Sequence, residues 1–144
     1  MFKNILIATD GSELAEKAVH QGLAVANDMK AKTTVVRATP VPRMLMAEGV
    51  ILATPPEVRE QVVRAVSEQF ARIKKEASAV GVPCETLHVE NDIAWRAILD
   101  VARDKGCDLI VMASHGRRGF SAAFLGSETH KVLAQSSIPV LVCR

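Results

Sequence analysis

The sequence predicts an α/β fold: one five-stranded parallel sheet with helices on both of its faces. Three observations lead there. Short apolar runs alternate with longer stretches whose apolar residues recur at helical spacing. Among the short runs, Ile5 to Ala8 and Leu109 to Ala113 are apolar throughout, as strands covered on both faces require, and not alternately polar. No repeat, low-complexity tract or linker interrupts the order β-α-β-α-β-α-β-α-β, so residues 1–144 are expected to form a single domain.

The first strand is Ile5-Leu6-Ile7-Ala8, ending at Thr9-Asp10-Gly11. Ser12 is placed to cap the helix that follows, Glu13 to Met29, whose inward face is Leu14, Ala18, Val19, Gly22, Val25, Ala26 and Met29. Thr33 to Ala38 is rich in β-branched residues and reads as the second strand. A loop is expected from Thr39 to Ala53, with prolines at 40 and 42 and an apolar middle, Met44-Leu45-Met46. That middle is either a lid or partner surface, or a loop folded onto its own domain. Thr54, Pro55, Pro56 and Glu57 form a start signal of the capping-box kind. The helix they open has the stripe Val58, Val62, Val66, Phe70, Ile73, Ala77 and Val80, and Gly81 and Pro83 stop it.

Thr86 to Val89 is the third strand, and Ile93 to Arg103 a shorter helix ending near Gly106. Asp108 to Ala113 is the clearest buried strand. A glycine-punctuated loop covers Ser114 to Gly126, a last helix Ser127 to Ala134, and a closing strand Ile138 to Cys143.

Composition narrows the function. The chain is 49% hydrophobic and 24% charged, the balance of a globular domain, with 18 basic against 16 acidic residues. A net charge of +2 gives no electrostatic case for nucleic acid or an anionic membrane. No apolar run approaches the roughly 20 residues of a membrane span. The opening MFKNILIATDG is too short an apolar stretch for a signal peptide, so a cytoplasmic location is expected. Cys84, Cys107 and Cys143 contain no C-x-x-C pair and read as small core residues. His20, His88 and His130 fall in separate elements without metal-ligand spacing, and Trp95 reads as packing.

Ligands of open parallel sheets bind beyond the carboxyl ends of the strands, where strand order reverses. If the first and fourth strands flank that point, Ala8 to Ser12 meets Ala113 to Ser127. Gly116 and Gly119 allow backbone amides to approach an anion closely, and Gly126-Ser127 stands at a helix start, with free N–H groups and the positive end of the dipole. His115 is either a phosphate contact or a loop brace; of Arg117 and Arg118, at most one is expected on a ligand. Neither G-x-x-x-x-G-K-[ST] nor a G-x-G-x-x-G after the first strand is present.

The stretch A-S-H-G at 113–116, nine residues, then Gly126-Ser127, resembles the G-x-x-G, nine residues, G-[ST] pattern of the universal stress protein (UspA-like) family, in its ATP-binding branch. The opening ILIATDGSELAEKA and the ending IPVLVCR resemble that family's first and last segments, so the likeness spans the chain. One departure is Ala113, where the pattern has its first glycine.

The resemblance implies a Rossmann-like fold of the adenine nucleotide alpha hydrolase type, binding ATP alone or with Mg2+ in a stress-response regulator. It puts Ala8, Thr9 and Asp10 on one side of the site, with Asp10 at the ribose or base. Ala38 would offer backbone groups to adenine. Met112, Ala113, Ser114 and His115 would form the opposite side. Gly116, Gly126 and Ser127 would surround the phosphates, with Glu128 and Thr129 behind them; Gly119 and Arg117 are added on physical grounds. It also implies a homodimer, and the uncharged strand Ile138 to Cys143 offers the pairing edge.

No nucleophile, base and orienting group stand together, since adjacent Ser114 and His115 are not expected to face each other, and Asp10 lacks a neighbouring acid to hold magnesium. At most weak ATP hydrolysis is expected. The alternatives are a nucleotide-independent dimeric adaptor and a slow ATPase or phosphotransfer protein. A response-regulator receiver needs an acidic pair after the first strand, which this sequence lacks.

Overall fold

The computed structural model describes residues 1–116 and 125–144. Its main sheet is built from β1 (Asn4–Ala8), β2 (Lys32–Thr39), β5 (Cys84–Glu90), β6 (Leu109–Ala113) and β7 (Val140–Cys143). These run parallel in the order β5-β2-β1-β6-β7. β1 is central, with Ile5 opposite Thr33 on one side and Leu109 on the other. From β1 the chain crosses to β2, whereas β6 leads to β7 on the far side. Strand order therefore reverses between β1 and β6, the condition on which the sequence-derived site depends, and β7 is an edge.

Helices α1 (Glu13–Met29) and α2 (Pro56–Ala79) cover one face; α3 (Ala94–Asp104) and α4 (Ser127–Gln135) cover the other. Alternate residues of β1 serve the two layers: Ile5 and Ile7 pack with α1 and α2, Leu6 and Ala8 with α3 and α4. Ile5, Leu6 and Ile7 are wholly buried, each worth about 1.5–3 kcal/mol. Gly22 lets α1 lie close to the sheet, since a Cβ there would stand 2.7 Å from Ile7 Cδ1. Cys107 and Cys143 are buried and Cys84 partly so, and burial pushes all three thiols above their ordinary pKa.

The structure corrects three local expectations. The segment 39–53 is not a plain loop: β3 (Met44–Ala47) and β4 (Val50–Ala53) form an antiparallel hairpin. Glu48 and Gly49, with φ of 50° and 76°, make its two-residue turn, the left-handed pair that suits the twist of a hairpin. Thr54 does not cap α2. Its amide donates to Arg43 O (2.9 Å) and its Oγ1 accepts from Arg43 N (3.2 Å), so the hairpin's root takes the group the capping box needed. Pro55 stands at the N-cap without a side-chain bond. The α2 stripe is buried from Val66 to Ala77, while Val58 and Val80 stay exposed at its ends. Among the described residues no helix is long and apolar enough to cross a membrane.

Candidate nucleotide cleft

The carboxyl end of β1 turns sharply. Gly11 takes φ 79°, which a side chain would oppose. Asp10 Oδ1 accepts the Ser12 amide at 2.9 Å, and Thr9 Oγ1 accepts the Gly11 amide at 3.2 Å. Ser12 then caps α1, its Oγ accepting from Ala15 N at 3.2 Å, as its position predicts.

Beneath this turn lies a residue that the sequence reading passed over. Gln69 of α2 is 1% exposed. Its Nε2 donates to Thr9 Oγ1 and to Glu16 Oε1, both at 3.0 Å, and its Oε1 accepts from Arg37 Nη1 at 2.8 Å. One buried amide thus ties the β1 turn to α1, α2 and β2. The signal was present: a glutamine between Val66 and Ile73 on the inward stripe is a polar group that must find partners.

Across the switch point, β6 ends at Ala113, with ordinary strand backbone; its methyl creates no left-handed strain where the family pattern has glycine. Thr129, buried on α4, donates from Oγ1 to Ala113 O at 2.9 Å. Ser114 is 2% exposed and lies behind the cleft wall, apart from the residues that line it. Its amide donates to Cys143 O (2.7 Å) and its carbonyl accepts from Gly126 N (2.7 Å). Its Oγ meets His115 Nδ1 at 2.8 Å, so this adjacent pair does face each other, contrary to expectation.

The Ser114 hydroxyl is buried, and His115 Nε2 has no orienting partner among the described residues.

Two glycines permit the loops to meet. A Cβ on Gly116 would stand 2.6 Å from Asp10 Oδ2, and one on Gly126 would stand 3.2 Å from Ser114 O. Gly126 is the N-cap of α4 and supplies no side-chain acceptor, so among the described residues no cap side chain takes the first-turn amides of α4, which suits that end to an anion. Arg117 and Gly119 lie outside the described residues.

Together these groups line a cleft of about 390 Å3, within the range of small-molecule sites. Ala8, Thr9 and Asp10 are on it, as are Ala38 and, from β6 onward, Met112, Ala113, His115 and Gly116. Gly126, Ser127, Glu128 and Thr129 close the α4 side. Ala15, Ala94, Ile98 and Asp92 also line it and were not foreseen; the last three follow β5, far off in sequence.

Asp92 and Glu128 add carboxylates where a lone Asp10 was expected, but both have structural partners. Asp92 bonds the Arg43 guanidinium and the Val41 amide, which hold its carboxyl below the usual range. Glu128 Oε2 accepts from Trp95 N at 2.8 Å, in the first turn of α3. Among the described residues no group of three His, Cys, Asp or Glu could hold a metal ion.

Fold and cleft together define an α/β protein of doubly wound type with an anion-ready helix start at its switch point. The universal stress protein family model matches residues 1–144, and the chain belongs to that family. It is 36% identical to a universal stress protein of Thermus aquaticus, the match covering 100% of both chains. Its fold is similar to the solved structure of MJ0577 of Methanocaldococcus jannaschii, with a TM-score of 0.80 and 26% identity over 99% of this chain and 96% of that one. It is also similar in fold to a universal stress protein solved in complex with cAMP, with a TM-score of 0.70 and 20% identity over 99% and 97% of the two chains.

Proposed function

We propose that the cleft binds an adenine nucleotide, ATP in the first place, and that its occupancy is the signal of a stress-response regulator. The observation that carries this reading is the pairing of Asp10 with the bare N-terminus of α4 on one cleft of nucleotide size. A sugar hydroxyl suits Asp10, the backbone at Ala38 suits an adenine edge, and the amides at Gly126 and Ser127 suit phosphate oxygens. Arg117 and Gly119 are proposed contacts from the loop. Mg2+, where it accompanies ATP, would be held by the phosphates themselves. Its chemistry would be charge neutralisation of the phosphates. Hydrolysis would be slow at most: among the described residues the cleft carboxylates of Asp92 and Glu128 are held in other bonds, and His115 Nδ1 is taken up by Ser114 Oγ. The cAMP complex of a protein with this fold supports the ligand class.

The reading includes a cytoplasmic homodimer through 138–143. β7 is an open edge, and Leu141 on it is exposed. Light scattering that returns a clean monomer at micromolar concentration would remove the dimer.

The ligand is tested by denaturing the purified protein to look for released nucleotide, and by melting it with ATP. At 100 times the dissociation constant a ligand adds about 2.7 kcal/mol, which for this size is roughly 5–11 °C. Asp10→Ala should abolish the shift. No co-purifying nucleotide and no shift at millimolar ATP would leave the nucleotide-independent adaptor as the reading.

A further inference from the structure

The β3–β4 hairpin has no part in the cleft, and its chemistry is unusual. Its strands, Met44-Leu45-Met46-Ala47 and Val50-Ile51-Leu52-Ala53, contain no charged and no polar side chain. Met44 is 75% exposed, Met46 78% and Ile51 60%, and Val50 and Leu52 are also more than half exposed. Strand alternation puts Met44, Met46 and Ile51 on one face and Val50 and Leu52 on the other, so both faces are apolar and open. The blade makes little contact with any other helix or strand.

Its root, by contrast, is fixed. Thr54 and Arg43 exchange two hydrogen bonds, and Arg43 and the Val41 amide are both held by Asp92. A two-stranded hairpin is marginal in water by itself. One with a clamped root, a well-formed turn and a bare apolar blade is an arm shaped for something that covers it.

We propose that this arm pairs with the same arm of a second copy of the chain, the β3 edges antiparallel about a two-fold axis. Three features select that occupant. The first is side-chain contact: Met44 and Met46, 75% and 78% exposed, stand on β3 itself, so a strand laid beside it gives each a cross-strand neighbour.

The second is the edge. β3 bonds only β4 in its sheet, so its outer backbone groups can extend the ladder, and identical strands match in length. The third is charge. Antiparallel pairing brings the tip of each arm to the root of the other, so Glu48 comes beside the partner's Arg43. A lipid surface is a poorer match, because residues 44–53 contain no Lys or Arg and the tip carries Glu48.

This contact is separate from the β7 edge and from the nucleotide cleft. Its test is the mass in solution, by light scattering across a concentration series. Met46→Glu and Glu48→Lys are compared with wild type, each also combined with Leu141→Lys to remove β7 pairing. All these side chains are exposed, so an unchanged melting temperature verifies folding. Each arm variant should raise the dissociation constant of one association step at least tenfold, in both backgrounds. A mass unaffected by Met46→Glu in both backgrounds would overturn the proposal. So would flotation on phosphatidylcholine–phosphatidylglycerol vesicles that Met46→Glu abolishes while the mass stays the same, which would assign the arm to a bilayer.

Discussion

Gly116→Ala is a substitution of one methyl whose effect depends on a single contact. The added Cβ would stand 2.6 Å from Asp10 Oδ2, about 0.6–0.8 Å closer than a carbon and an oxygen tolerate. Asp10 is not free to retreat, because its other oxygen accepts the Ser12 amide at 2.9 Å. Turning the carboxylate away therefore weakens a charge-assisted hydrogen bond of about 1.5–3 kcal/mol. Some relaxation of the loop offsets part of that, and a net loss of about 1–2 kcal/mol is expected in urea unfolding. The mechanism is separable from any general effect of a methyl by a double-mutant cycle. In an Asp10→Ala background the methyl meets no carboxylate, and Gly116→Ala should cost less than about 0.5 kcal/mol, a coupling of at least about 0.5 kcal/mol. Equal cost in both backgrounds would refute the argument that Gly116 is glycine in order to admit Asp10.

Three other outcomes follow from the structure. Gln69→Leu removes two buried donations and leaves Arg37 without that acceptor, so unfolding free energy should drop by about 2–3 kcal/mol; a loss below 0.5 kcal/mol would show the network to be dispensable. Lys30 caps α1 with φ 55°, and Lys30→Gly should raise stability by up to about 1 kcal/mol, or roughly 2–4 °C in Tm; a fall would contradict the cap geometry. Asp92 has a lowered folded pKa, so its support of the hairpin root is present above its unfolded value near 3.8 and lost as pH falls through the lower folded value. The protection factor of the Val41 amide, the exchange rate of an unstructured amide at the same pH divided by its own, should fall on acidification through that window, and Asp92→Asn should flatten the response.

The sheet was legible because a parallel strand buried on both faces writes itself as an unbroken apolar run, as in 5–8 and 109–113. The switch-point loops were legible for a related reason: glycines at 116 and 126 sit where the chain must come close to the Asp10 carboxylate and to the Ser114 backbone. The hairpin was not, although Glu48-Gly49 between two four-residue apolar runs is a hairpin signal. Pro40 and Pro42 suggested a loop, and a strand pair exposed on both faces lacks the alternation that marks a half-buried strand. Thr54 misled because one hydroxyl suited two partners, and the choice between helix start and hairpin root is made by the fold. Gln69 was hidden in a stripe read for its apolar letters alone. Asp92 and Ala94 reach the cleft only because β5 lies beside β2, a neighbour relation that no local window contains.

The central place of β1 has a kinetic cost during synthesis. Ile5 pairs with Leu109, and the Lys3 amide donates to Asp108 Oδ2 at 2.8 Å across 105 positions of sequence. At about 5–20 residues per second, the β6 edge of this apolar strand waits roughly 5–20 s on the ribosome before its neighbour has been made. The contacts between β1 and β6 cannot help to nucleate the fold until residues 109–113 exist. Until then the nascent chain carries an apolar strand with one edge open, the condition under which strands pair wrongly.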